Sequence, residues 1–267
     1  MCTALISVDP NSRVPLLLLF ARDEFIDRSW KLPGRFWPEH PRLVGGQDER
    51  EGGTWLAVDP GAEGGGAAPR VACLLNGFGT FADVARRRTR GRLALIAASG
   101  GFISDLDLTR YDPFHLLVGD PTGVSMLTWD GSTLTDRKLA PGTHLVSNRG
   151  LEVEDDQLPT APERAVTLIE ARIKHFRPLL QSTPRPEPAP GDELSTRQAW
   201  GAWMRLADGD DLDTDDVRAL IGRHDWGEGA GVWITSSVSL VALGSGGVRY
   251  DMNPAPGTGD WYEVVTA

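Results

Sequence analysis

Met1-Cys2-Thr3-Ala4-Leu5-Ile6-Ser7-Val8, Asp9-Pro10-Asn11-Ser12-Arg13, Val14-Pro15-Leu16-Leu17-Leu18-Leu19-Phe20 and Ala21-Arg22-Asp23-Glu24 form the stretch whose reading decides the fold. Two short apolar runs rich in branched residues flank a segment of turn chemistry, which predicts a β-hairpin. With Val8 and Val14 closing the turn, antiparallel pairing sets Cys2 opposite Phe20 and leaves Arg22 and Asp23 just beyond the strand end. A thiol, a guanidinium and a carboxylate then meet at one corner.

That corner has a chemical reading. Met1 precedes a small residue and is expected to be trimmed, which makes Cys2 the mature N-terminus. A free α-amine titrates at about 7.7–8.0 and a thiol at about 8.5, so near neutral pH the amine can act as base for its own side chain. A nearby guanidinium favours the thiolate. The competing reading makes Cys2 a small apolar residue on a buried strand, the commoner fate of a free cysteine.

Working outward, 267 residues with 40% hydrophobic content suffice for a substantial core. Twenty-seven basic against 37 acidic residues leave a net charge of −10, which argues against a nucleic-acid or anionic-membrane surface. The expected partner is a small molecule. Cys2 and Cys73 offer no disulfide framework, and no Cys/His spacing matches a zinc site. The apolar start lacks a basic n-region and breaks at Asp9-Pro10, so neither a signal peptide nor a membrane helix is expected. A cytoplasmic protein without metal or cofactor is the expectation.

The segment from Asp27 to Pro38 is aromatic and proline-punctuated, as suits a loop packed over a pocket, with Trp30 and Trp37 as its candidate lining. The same tryptophans could equally be loop-anchoring core residues. Strands are expected at Gly52–Val58 and Val71–Asn76, joined by a Gly/Ala-rich loop from Asp59 to Arg70 whose composition suggests mobility. Gly77-Phe78-Gly79-Thr80-Phe81-Ala82 matches a dinucleotide-binding pattern, yet no βαβ unit follows, so the match is read as chance. The arginines from Arg86 to Arg90 are read as a solvated face, with an anion-holding role as the alternative. A short helix is expected at Arg92–Ala98, then strands at Phe114–Gly119, Val124–Trp129, Ser132–Leu139 and Thr143–Ser147, with Asp130-Gly131 as a type I′ turn. Asn76 and Asn148 both stand at strand exits. A mostly helical segment is expected at about 160–225, including Leu194–Leu206, and closing strands at about 231–265. The acidic run Asp208–Asp216 fits no calcium loop and is read as helix-capping chemistry.

Met1-Cys2-Thr3, Arg22-Asp23-Glu24, Gly52-Gly53-Thr54-Trp55-Leu56, Leu75-Asn76, Thr89-Arg90-Gly91, Leu116-Leu117-Val118-Gly119-Asp120 and Leu145-Val146-Ser147-Asn148 together resemble the NRDE family, also called the transport and Golgi organisation protein 2 family. The resemblance spans residues 1–150 in order and loosens beyond. It implies an α+β fold, a four-layer αββα sandwich of antiparallel sheets of the N-terminal-nucleophile hydrolase type, taken as a single domain over residues 1–267. Conjugated bile acid hydrolases and penicillin V acylases are more distantly similar: they also begin Cys-Thr, carry an Arg/Asp turn and place asparagines at two later strand ends. By that likeness Cys2 is the nucleophile, Arg22 and Asp23 hold and activate it, and Asn76 and Asn148 polarise a carbonyl oxygen. Glu24, Trp30, Trp37, Trp55 and Arg90 are candidate substrate contacts.

Two positions depart from the family. Ala21 stands where it has the asparagine of Asn-Arg-Asp-Glu, and Ile234-Thr235-Ser236-Ser237 stands where it tends to have Thr-Arg-Ser-Ser. An arginine from that strand is therefore missing. Two functions follow as expectations. One is a thiol-dependent hydrolase or acyltransferase acting on a linear amide or thioester of a small acyl substrate. The other is a non-catalytic binder of a lipid, acyl-coenzyme A or haem, since eukaryotic relatives are associated with lipid and haem handling.

Overall fold

β1 (Thr3–Val8) and β2 (Leu16–Phe25) form the hairpin, with Thr3 opposite Ala21 and Val8 opposite Leu16. Continuing that register sets Cys2 level with Arg22, two residues along from the expected Phe20. The turn is longer than anticipated because Asp9 organises it: its amide bonds Pro15 O, its carbonyl accepts from Ser12 N and its carboxylate from Asn11 N. Val14 leaves the strand and packs into the core beneath.

A computed structural model describes residues 1–62, 66–151, 161–227, 231–244 and 246–266. Both hairpin edges are extended. β10 (Gly142–Ser147) pairs with β1, and β13 (Val232–Gly244) pairs with β2. β11 (Gly150–Leu151), β14 (Gly247–Asn253) and β15 (Tyr262–Glu263) complete the order β11-β10-β1-β2-β13-β14-β15, while β12 (Arg223–Asp225) pairs with β13. Among the described residues this sheet has eight strands, and the hairpin lies at its middle. β3 (Trp30–Gly34) and β4 (Gly45–Asp48) pair by themselves, so the stretch expected to be irregular contains a strand. A second sheet runs β5-β6-β7-β8-β9, from Leu56–Asp59 through Arg70–Asn76, Phe114–Asp120 and Gly123–Trp129 to Leu134–Lys138.

Three apolar clusters make four layers. Leu16, Leu18 and Phe20 meet Leu56, Val71, Cys73 and Leu117 between the sheets. Leu17, Leu19 and Leu240 lie under Phe176, Trp200 and Trp203. These come from α2 (Glu163–Ser182), α3 (Thr196–Trp200) and α4 (Trp203–Ala207). On the far side, α1 (Gly91–Ala98) packs Leu93 and Ala94 against Ala72 and Leu116. Strands covered on both faces have no polar side to show, which is why Leu16 to Phe20 reads as an unbroken apolar run.

Other local expectations shift. Asp130 accepts from the amides of Ser132 and Thr133, so a four-residue loop replaces the two-residue turn. The helix expected over Leu194–Leu206 is two short ones, divided at Gly201, whose φ of 47° breaks the helical path. No helix starts in the acidic run. Its carboxylates are taken by side chains instead: Asp208 by Arg197, Asp210 by His175 and Arg205, Asp216 by Arg218. The Asp59–Arg70 loop and the Gly244–Gly247 turn fall partly outside the described residues. Among the described residues no helix is long and apolar enough to cross a membrane.

Candidate functional site

Strand alternation sends neighbours in β2 to opposite faces of the central sheet. Arg22 follows Leu18 and Phe20 toward the inter-sheet space, where Cys2 also packs, and Asp23 follows Leu19 and Ala21 toward the helices. Arg22 is only 3% exposed. Its guanidinium lies 3.9 Å above the Trp55 ring, donates to Ser236 Oγ at 2.9 Å, and stands 3.6 Å from both Glu24 and Asp48. Burial pulls its pKa down against the attraction of Glu24. Ser236 is the extra residue of a β-bulge, since Thr235 pairs with Asp23 and Ser237 with Arg22. The bulge aims its hydroxyl back at the Arg22 guanidinium and carbonyl.

Asp23 is the hub on the other face. Its Oδ2 accepts from the terminal ammonium of Met1 at 2.9 Å and from Arg172 Nη1 at 3.1 Å, and its Oδ1 accepts from Thr235 Oγ1 at 2.6 Å. Burial alone would raise this carboxyl, but the ammonium, Arg172 and the Thr235 hydroxyl outweigh it and hold it below the usual carboxylate range. Arg172 Nη1 also donates to Met1 O at 2.8 Å and Thr3 Oγ1 at 2.9 Å, while its Nε bonds Ala219 O. Thr235 thus donates to the carboxylate, and the cation arrives from α2. Ala21 packs in the apolar layer under the helices.

The Cys2 thiol lies 3.7 Å from Asp23 O. Burial pushes the thiol up, with the Met1 ammonium pulling the other way. While Met1 is attached, the chain's free amine is engaged with Asp23 and the Cys2 nitrogen is an amide. A thiol in that state has no base of its own.

Cys2, Arg22, Asp23, Glu24, Trp55 and Asn76 line a single cavity of about 670 Å³. Arg90 is on its wall, with Nη1 donating to Pro113 O at 2.6 Å. Asn76 ends β6 with an exposed side chain at the cavity. Asn148 is elsewhere: buried, it donates Nδ2 to the Asn76 carbonyl at 2.7 Å, so it supports Asn76 from behind. His115 Nε2 in turn lies 3.3 Å from Asn148 O. Trp30 is one ring removed, packing edge-on against Trp55 at 5.4 Å. Trp37 belongs to the core under α1 and donates to Gly52 O, anchoring a turn. Of the arginine run, Arg86 is exposed beside Asp107, whereas Arg87 and Arg88 line the cavity.

Arg172, Ser236 and Asp48 take part without having been singled out in the sequence. Arg172 had a signal. The buried stripe of α2 reads Ala165, Leu168, Ile169, Arg172, Phe176 and Leu180, and a cation in an apolar helical stripe demands a buried partner. Ser236 and Asp48 carry no comparable local mark.

The sequence pattern described as Transport and Golgi organisation 2 matches residues 1–183. No curated protein matches the chain. Penicillin V acylase from Agrobacterium tumefaciens is similar in structure at 11% identity and a TM-score of 0.51, covering 98% of this chain and 86% of its own. A mutant conjugated bile acid hydrolase from Clostridium perfringens gives 12% identity and a TM-score of 0.49, covering 99% and 92%. The N-acylethanolamine-hydrolyzing acid amidase ortholog of Caenorhabditis elegans gives 11% and 0.41, covering 90% and 92%. At 11% identity the likeness to the penicillin V acylase concerns the fold alone.

Proposed function

This chain belongs to the Transport and Golgi organisation 2 family, and from that premise we propose that it is an N-terminal-cysteine hydrolase or acyltransferase acting on the amide or thioester bond of a small acyl substrate. The observation that carries this reading is the convergence of Cys2, Arg22 and Asn76 on one cavity, with the Asp23 carboxylate behind them holding the terminal amine. Sharing a fold with a penicillin V acylase supports an acyl-transfer chemistry in general terms. The reading treats residues 1–267 as one unit, and two free cysteines favour a reducing compartment such as the cytoplasm.

In this mechanism Met1 is first removed. The Cys2 amine, freed beside Asp23 and Arg172, takes the thiol proton as Sγ bonds to the acyl carbon. The carbonyl oxygen becomes an oxyanion, and the Asn76 amide is the side-chain donor at hand for it. Collapse breaks the bond to the leaving nitrogen or sulfur, which departs with the proton held by the amine, and Cys2 is left as a thioester. Water or an acceptor amine then attacks that thioester, giving its proton to the Cys2 amine, and the thiolate leaves and is reprotonated. Arg22 stabilises the thiolate. Arg172 shares the Asp23 carboxylate and so partly offsets its pull on a positive charge at the amine.

The Met1-bearing form favours a second reading, since a protonated thiol and an engaged amine suit a cavity that only holds a ligand. Intact mass measured after exposure to acyl-amide and acyl-thioester probes separates the two. A hydrolase gives a chain lacking Met1 that gains an acyl adduct lost in Cys2→Ala. A processed chain that never acquires an adduct leaves ligand holding as the function.

A further inference from the structure

The cavity carries more cationic charge than its carboxylates take up. Arg28 is held by Asp48 through two bonds of 2.7 and 3.0 Å, Arg22 stands 3.6 Å from Glu24 and Asp48, and Arg87 is 3.2 Å from Asp112. Asp23 is occupied by Met1 and Arg172. Glu51, the fifth carboxylate on a wall that carries six arginines, makes no ion pair among the described residues. Three of the six guanidinium groups are then without an ion pair. Among the described residues the side chains of Arg50 and Arg88 meet no carboxylate, and Arg90 hydrogen-bonds only the neutral carbonyl of Pro113, with Asp112 attracting it from further off.

The two segments that carry these three are joined through backbone. A Cβ on Gly53 would come within 2.6 Å of Gly91 C, and Thr54 N donates to Gly91 O, so the turn bearing Arg50 is clamped to the loop bearing Arg88 and Arg90. Gly91 opens α1 on this wall, and no carboxylate stands in that helix's first turn. Thr89 Oγ1 accepts from Gly91 N there, which stiffens the loop.

We propose that Arg50, Arg88 and Arg90 form an anion-binding subsite, so that the molecule taken up beside Cys2 carries a carboxylate or phosphate on the part lying along this wall. Guanidinium forks match both groups, and each charge-assisted contact is strong relative to a neutral hydrogen bond. That the anion belongs to a substrate rests on the hydrolase reading; the preference for an anion does not.

Calorimetric titration of the full chain with hexanoate, hexyl phosphate and hexan-1-ol tests it, because the three share one apolar tail and none contains a bond to cleave. At least one anion should bind about tenfold or more tighter than the alcohol, with the difference shrinking as salt rises. The tighter anion identifies the group. In Arg50→Ala/Arg88→Ala, two exposed changes whose folding is checked by thermal melting, the difference should close. The subsite is overturned if the alcohol matches both anions, if no probe binds, or if the preference survives the double change. Anion binding by a processed chain that never acylates Cys2 would retain the subsite and remove only the hydrolase reading.

Discussion

Arg172 Nη1 lies 3.1 Å from Asp23 Oδ2 across 149 residues of sequence, with both side chains buried. Breaking a buried pair leaves the other charge uncompensated, a loss of about 3–5 kcal/mol. Arg172→Met should therefore destabilise the fold, and in the surviving protein the amine should become easier to protonate. The acidic limb of kcat/KM then moves to higher pH, whereas Arg172→Lys should restore it toward the wild-type position. A rate lowered evenly across pH would mark Arg172 as purely structural.

Processing controls activity on this reading. Fractions of the protein with Met1 retained, separated and identified by intact mass, should show no turnover, because the Cys2 nitrogen is then an amide and its thiol is raised by burial. Equal turnover from both fractions would rule out the amine as base.

Cys2→Ala should abolish turnover and acyl labelling with little change in melting temperature. The thiol makes one weak hydrogen bond, to Asp23 O at 3.7 Å, and alanine keeps the Cβ packing of Cys2, so its removal costs little. Activity persisting in this variant would move the assignment to ligand binding.

The two asparagines should separate by effect. Asn76→Ala removes the donor facing the cavity and should lower kcat by about 10²–10³-fold. Asn148→Ala removes the bond to Asn76 O and should cost about 1 kcal/mol of stability, with a smaller loss of rate. A larger kinetic effect at Asn148 than at Asn76 would reverse these roles.

Burial lowers His115 from an ordinary 6.5 to about 4. The unfolded chain then takes up a proton that the folded one refuses between those values. Stability is fully present above the unfolded pKa and falls as pH drops through the window, by about 3 kcal/mol in all. Asp23, held low when folded, adds a further loss as pH falls below its ordinary value. Urea unfolding at pH 7 and pH 4.5 should show a larger acid loss in the wild type than in His115→Gln.

Much of the fold was legible because its signals are local. The apolar arms of the first hairpin and the turn residues between them are consecutive, and strands covered on both faces leave the unbroken run Leu16–Phe20. The hairpin register was harder to read, since the Asp9 side chain and Val14 settle where pairing resumes. Trp37 resembled a pocket residue because composition alone does not say which side of a loop an indole faces.

By itself the sequence determined the hairpin, the nearness of Cys2 to Arg22 and Asp23, and the strand-end position of Asn76, but not that Arg22 and Asp23 lie within β2 and face opposite sides. Strand periodicity and turn chemistry act between residues a few places apart, so a one-dimensional pattern contains them. Tertiary structure alone decided that Arg172 meets Asp23, that Ser236 bulges against Arg22, that Asn148 backs Asn76, and that Gly53 clamps to Gly91. Each joins elements far apart in the chain, and their meeting depends on sheet order, helix placement and backbone approach. Those are set by how the layers bury their apolar faces together, which no single segment encodes.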